Sequence, residues 1–211
     1  MIVKVFSTGP FETNTILIGC DETRFAAIVD TPLDSHDCLI QELERQELKP
    51  QMILLTHSHW DHLADAAKLK KSLGVPVYVH QEDKENLIHP GLDGLPLFFP
   101  IEGVHPDGFL SDQQVLSIGN LSLKVIHTPG HTPGGVCFWI SKEKLLLSGD
   151  TLFKGTIGNL SFPTSRPALM WESLKKLAQL PPETRVLPGH GEETTIGAES
   201  WLADARHYFG G

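Results

Sequence analysis

No apolar run in the 211 residues approaches the ~20 that a membrane-spanning helix needs, so no spanning segment is expected. Cysteine is scarce. Cys20, Cys38 and Cys137 are odd in number and lack C-x-x-C spacing, which excludes a disulfide framework and a thiolate zinc site. Cys137 lies in the apolar stretch Val136–Ile140, where a buried, inert thiol is expected. A long basic run is missing too: 17 Lys+Arg stand against 26 Asp+Glu, a formal net charge of −9. That balance disfavours a phosphate-backbone footprint, so no nucleic acid is expected as partner. The first residues, Met1-Ile2-Val3-Lys4-Val5-Phe6, read as a strand and lack the charged-then-apolar layout of a signal peptide. A reducing, cytoplasmic location follows as the expectation, with a small-molecule substrate, no membrane, and a monomer or small homo-oligomer.

What is present is an ordinary globular composition, 40% hydrophobic and 20% charged, in a length that fits a single domain over 1–211. Strand-like runs fall near 2–6, 14–19 and 25–29, and a helix is expected over Ser35–Glu47. A second helix should begin at Asp61, with Leu63, Ala66, Ala67 and Leu73 inward, and stop at Gly74 before a strand at Val75–Val79. Residues 81–110 are irregular and rich in Pro and Gly, as functional rims often are. Strands follow near 115–118, 121–127, 135–140 and 144–148. Then come a loop over 151–165, a helix opened by Pro167 with Met170, Leu174 and Leu177 inward, a strand at 184–187 and a final helix over 197–208. Two sheets packed together and flanked by helices are the simplest layered solution.

Chemistry concentrates in four segments: Thr56-His57-Ser58-His59-Trp60-Asp61-His62, Pro129-Gly130-His131, Ser148-Gly149-Asp150-Thr151 and Pro188-Gly189-His190-Gly191. Each follows a strand-like run (Met52–Leu55, Leu123–Ile126, Lys144–Leu147, Arg185–Leu187). Strands sharing a sheet and a direction would put every donor on one rim. In extended chain His57 and His59 point to one side with Cα atoms roughly 6.6 Å apart. Two imidazoles at that distance can close on one ion at about 2.0–2.1 Å. Asp61 and His62 come after the backbone turns into a helix and are better aimed at a neighbouring ion. His131 and His190 add one nitrogen to each side, and the two oxygens of Asp150 can bridge. Asp61 and Asp150 are read as catalytic as well as ligating. Gly130, Gly149, Gly189 and Gly191 let the backbone turn close to the ions. Asp30, at another strand end, suits either a hydrogen bond to a ligating imidazole or a plain turn. His36, His80, His89, His105, His127 and His207 lie outside any such cluster and are expected on the surface or behind the ligands.

The set Thr-His-x-His-x-Asp-His (56–62), Thr-Pro-Gly-His-Thr-Pro-Gly (128–134), Ser-Gly-Asp-Thr-Leu-Phe (148–153) and Pro-Gly-His-Gly (188–191) resembles the metallo-β-lactamase fold superfamily. Within it the glyoxalase II-like hydrolases, of hydroxyacylglutathione hydrolase type, are the most similar group. Asn14–Ile18, Ala27–Asp30 and Thr194-Thr195-Ile196-Gly197 extend the likeness. The resemblance implies an α/β four-layer αββα sandwich of two mixed sheets. It assigns His57, His59 and His131 to one ion, Asp61, His62 and His190 to a second, and Asp150 to both. The implied cofactors are two divalent ions, zinc first, with iron or manganese also compatible. The implied reaction is hydrolysis of a small acyl thioester such as S-lactoylglutathione, because paired cations lower the pKa of water from 15.7 towards ~7. Another ester, a lactone or a phosphodiester is the alternative, and an iron persulfide dioxygenase a further one. Phe153 or Phe162, Lys154 and Asn159 are the expected substrate-side residues, and the mouth should be built from 95–110 and 151–162. The helical domain that holds glutathione in longer relatives is not expected in this chain.

Overall fold

The computed structural model describes residues 1–210. Its first sheet holds β1 (Ile2–Thr8), β2 (Thr13–Gly19), β3 (Phe25–Val29), β4 (Lys49–Leu54), β5 (Val77–His80) and β6 (Gly108–Leu110), in that spatial order. β1, β2 and β3 pair antiparallel; β3 to β6 pair parallel. The parallel connections carry α1 (Ser35–Arg45), α2 (Trp60–Leu63), α3 (Ala66–Leu73) and α4 (Lys84–Ile88). The second sheet holds β7 (Val115–Ile118), β8 (Leu121–His127), β9 (Val136–Ile140) and β10 (Leu145–Gly149). After β10 a two-stranded ribbon, β11 (Leu152–Phe153) and β12 (Thr156–Ile157), precedes α5 (Pro167–Leu177). β13 (Arg185–Pro188) then enters the second sheet parallel to β10, β14 (Thr194–Thr195) closes its edge, and α6 (Ala205–Phe209) follows.

Alternation within the strands builds the layers. Side chains of successive strand residues point to opposite faces, so a strand apolar at every position serves two cores. In β2, Leu17 packs with α1 and α3 through Leu39, Leu43 and Leu69, while Ile16 and Ile18 face the other sheet. In β10, Leu145 and Leu147 meet Ile16 and Val29 between the sheets, and Leu146 turns to Met170 and Leu174 of α5. Three apolar layers thus separate helix, sheet, sheet and helix, the expected αββα sandwich. No helix among the described residues is long and apolar enough to cross a membrane.

Three local expectations need correction. The helix expected from Asp61 is two helices. Asp65 interrupts it, because its backbone N–H donates to Thr31 O (2.9 Å) and its carboxylate accepts from His36 N (3.0 Å). The irregular stretch 81–110 contains α4 and β6. The final helix over 197–208 does not exist: 3-10 turns at Ile196–Ala198 and Leu202–Asp204 precede the short α6. Gly197 N donates to Pro182 O (2.8 Å), and buried Glu199 accepts from Thr194 Oγ1, Trp201 Nε1 and Gly155 N. Those long-range bonds outcompete the helical ladder. Tyr208 is exposed, and Phe209 packs against Trp201.

Candidate metal centre

The four motifs converge, but not from one sheet. β4 belongs to the first sheet and β8, β10 and β13 to the second, so the site lies where both sheets end. β8, β10 and β13 run the same way, which places Gly130-His131, Asp150 and His190 along one rim. His57 and His59 are carried on the extended stretch after β4, and Asp61 and His62 sit in the single turn of α2. Two glycines make room. A Cβ at Gly189 would collide with Asp150 Oδ1 and lie 2.7 Å from His62 Cε1. Gly149 has φ of 48°, and a Cβ there would press on Thr56 at 2.7 Å.

Ligand atoms of His57, His59 and His131 lie within 4.8 Å of one another, as do those of His57, His62 and Asp150, and those of Asp61, His62 and His190. Asp150 stands in the middle, with Oδ1 3.3 Å from His62 Nε2 and Oδ2 3.3 Å from His131 Nε2 and 3.6 Å from His190 Nε2. Asp61 Oδ2 is 3.2 Å from His190 Nε2 and accepts from Thr13 Oγ1 at 3.0 Å.

The outer nitrogens are all but one accounted for. His131 Nδ1 donates to Asn159 O (2.8 Å), His190 Nδ1 to Phe11 O (2.9 Å) and His62 Nδ1 to Asp30 Oδ2 (2.9 Å). His57 Nδ1 donates to Thr56 Oγ1 (3.0 Å), which itself donates to Asp30 Oδ2 (2.7 Å). A neutral imidazole that donates from Nδ1 keeps a lone pair on Nε2. Four Nε2 atoms therefore face inward, each offering a lone pair whenever its ring is neutral, the arrangement in which outer partners fix ligand tautomers. His57 Nε2, His131 Nε2 and Asp150 Oδ1 are buried with no hydrogen-bond partner. Leaving buried polar atoms unsatisfied costs roughly 1–3 kcal/mol each. A divalent cation would satisfy them, and the donor set of imidazoles and carboxylates suits one.

The electrostatics of the metal-free site are divided. Burial, reinforced by His62, holds His57 well below the usual histidine range, and burial with His131 pushes His59 down to about 3. Burial also opposes charge on His62, but Asp150, Asp61 and Asp30 outweigh it and hold its pKa well up. His190 is raised in the same way by Asp61 and Asp150 against burial. Asp150 stays ionised: His62, His131 and His57 overcome its burial and drive its pKa far down.

Asp30 takes the first of its two expected roles. Its carboxylate accepts from Thr56 N (2.7 Å), Thr56 Oγ1 and His62 Nδ1, so one acid orients two imidazoles. Asp30→Ala is expected to weaken metal binding ~10–100-fold, read by competition with a chromophoric chelator. Lys154 lies outside the cavity lining, its ammonium 2.6 Å from Glu192 on the surface. Asn159 lines the cavity, yet its side chain accepts from Ser161 N and its main-chain oxygen serves His131. Arg166 pairs with Glu82. Phe153 and Phe162 line the cavity, Phe162 with its ring 5.3 Å from His59. The cavity of about 290 Å³ also takes Leu95 from the expected 95–110 stretch, and Phe11 and Trp60, which sequence reading did not single out.

Other contributors are unmarked by any motif. Asp83, buried, accepts from Ser58 N (2.9 Å), Thr132 Oγ1 (2.9 Å) and Gly134 N (2.6 Å), tying the His57–His59 segment to the His131 loop. Asp93 Oδ2 lies 3.9 Å from His59 Nε2 and is held by Asn86 Nδ2 at 2.9 Å. Only their placement beside the ligand segments reveals them.

The sequence model of the metallo-β-lactamase superfamily matches residues 8–190. The chain belongs to that superfamily. Among solved members, BLEG-1, a B3 metallo-β-lactamase, is 36% identical with a TM-score of 0.87, covering 94% of this chain and 96% of its own. TTHA1623, solved in a di-iron-bound form, is 34% identical with a TM-score of 0.80, covering 94% and 97%. The hydroxyacylglutathione hydrolase GloC of Haemophilus influenzae is 32% identical over 208 residues, covering 94% of this chain and 95% of GloC. Superfamily membership places the chain among metallo-hydrolases, with His/Asp clusters suited to divalent ions.

Proposed function

We propose that the chain is a binuclear metal-dependent hydrolase of small acyl thioesters, with zinc the first candidate metal and iron and manganese alternatives. The observation that carries this is the set of buried, unpartnered Nε2 atoms of His57, His59 and His131 and Oδ1 of Asp150 gathered beside the 290 Å³ cavity. His57, His59 and His131 would hold one ion, Asp61, His62 and His190 the other, and Asp150 both. When bound, the ions supply hydroxide at neutral pH and polarise a carbonyl.

The protein's own residues supply the rest. Asp61 and Asp150 contribute negative charge that offsets the cations. Phe11, Trp60, Phe153 and Phe162 exclude water around the reacting carbonyl, which strengthens each electrostatic contact there. Water oxygen bonds to the acyl carbon, the C–S bond breaks, and carboxylate and thiol leave with one proton released. A thiolate whose parent pKa is near 8.5 departs with little or no protonation. The cavity fits that demand, since its polar lining is His59, Asp61, His131, Asp150 and His190 of the ligand set plus Asn159. The similarity to GloC supports a thioester.

Loss of thioester absorbance on mixing zinc- or iron-loaded protein with S-lactoylglutathione tests the reading. Turnover abolished by chelation and restored by metal is the expected result. Loaded protein that is inert to every thioester yet cleaves a lactone or phosphodiester would assign the bond elsewhere.

A further inference from the structure

Phe11, whose carbonyl holds His190, presents its ring to solvent. The residue is 51% exposed, and its ring packs on Trp60 at a centroid distance of 5.1 Å and on Phe98 at 6.4 Å. Trp60 meets Phe98 at 5.8 Å and Phe99 at 5.4 Å, and Phe98 is itself 68% exposed. Three separate segments thus assemble one aromatic shelf: the turn between β1 and β2, the start of α2, and the loop before β6. A groove of about 520 Å³ runs over it, lined by Pro10, Phe11, Leu33, Asp34, Phe98 and Phe99. Phe11 also lines the metal-centre cavity, and so does Trp60, so groove and cavity share a wall. A contiguous exposed apolar patch on a globular chain marks a binding surface.

Charge narrows what can lie there. Neither lining includes a lysine or arginine, and the one charged residue of the groove is Asp34. Lys154 and Arg166 are engaged by Glu192 and Glu82. Carboxylates such as those of a glutathionyl group would find no cation on this side.

We infer that the shelf is a specificity subsite for an apolar alkyl or aryl arm of the substrate, lying over Phe11, Trp60 and Phe98 while the scissile carbonyl occupies the metal cavity. The inference names a substrate class for the hydrolytic reading above and rests on it. Phe11 couples the two halves of the site, because an arm resting on its ring bears on the same turn whose carbonyl fixes His190.

Binding and turnover test it separately. Non-hydrolysable S-alkyl thioethers of N-acetylcysteamine, methyl to octyl, are titrated against metal-free and metal-loaded protein with tryptophan fluorescence as the readout. The Kd is expected to fall about two- to fourfold per methylene until the arm overruns the groove. Phe98→Ala and Phe98→Glu, at a side chain exposed enough to spare the fold, should flatten that dependence. For hydrolysis, thioesters are lengthened on the acyl side in one series and on the thiol side in another. A rise in kcat/KM with length in either series supports the shelf and identifies which half lies on it. A Kd independent of chain length, or a dependence unchanged by both Phe98 substitutions, overturns the inference, as does a homodimer that buries this face. Length-dependent binding with no thioester cleavage under any metal would keep the shelf and sink the hydrolytic reading. Cleavage indifferent to length in both series would do the reverse.

Discussion

Asp150→Asn is expected to lower kcat/KM for a thioester by ~10³-fold or more while leaving the protein folded. Asp150 is the one anion within 3.6 Å of imidazoles on both sides of the site, namely His62, His131 and His190. Its Oδ1 meets only His62 Nε2, at 3.3 Å. The amide keeps the shape but is neutral, and half of it presents hydrogens where a cation needs a lone pair. Metal content should drop from two ions per chain with no large fall in Tm, because no hydrogen bond of the fold is broken. Elemental analysis, a thermal melt and steady-state kinetics on one preparation read all three quantities. Full turnover with two ions retained would remove Asp150 from the centre. His57→Ala should also lose metal and activity together, and it additionally breaks the link from His57 through Thr56 to Asp30.

The second large effect is on pH. In the metal-free protein His57 and His59 have lowered pKa values, the latter about 3, so these two rings compete with few protons above pH 5. His62 and His190 are the opposite case, their pKa values raised by Asp150, Asp61 and, for His62, Asp30. A raised pKa means that the ring keeps its proton to higher pH than an ordinary histidine, and a metal must displace that proton. Affinity at the Asp61/His62/His190 side should therefore fall as pH falls below those raised values, about tenfold per unit for each proton displaced. Lowering the pH from 8 to 6 should weaken the ion at Asp61, His62 and His190 more than the ion at the other side. Calorimetry in buffers of different ionisation enthalpy counts the released protons. Equal pH dependence at both sites would contradict the division.

Much of this convergence was legible in the sequence because the seven residues come in short local patterns after strands. Spacing alone separated His57 and His59 from Asp61 and His62, since two residues of extended chain share a face and the next turn of helix does not. Which strands share a sheet was not legible. Met52–Leu54 of β4 and Leu145–Leu147 of β10 are apolar at successive positions because both faces are covered, so neither run betrays its neighbours. Asp83 and Asn86 carry no signal either, for they act through bonds to Ser58 and, for Asp83, to Thr132 and Gly134, some 25 to 51 residues away in sequence, while Asp93 is held by Asn86. The last helix failed for a related reason. Ala198, Trp201, Leu202 and Ala205 have helical spacing, but Glu199 and Gly197 satisfy distant partners that local periodicity cannot report. Phe98 shows a further limit: an aromatic in a loop reads as core by default, whereas here it faces solvent beside the reaction cavity.

Anomalous diffraction from crystals of the zinc-loaded protein addresses the two-ion centre most directly. Two peaks about 3.5–4 Å apart are predicted, one ringed by His57, His59 and His131, the other by Asp61, His62 and His190, with Asp150 between them. A single peak, or peaks bound by other side chains while these seven stay unligated, would contradict the account.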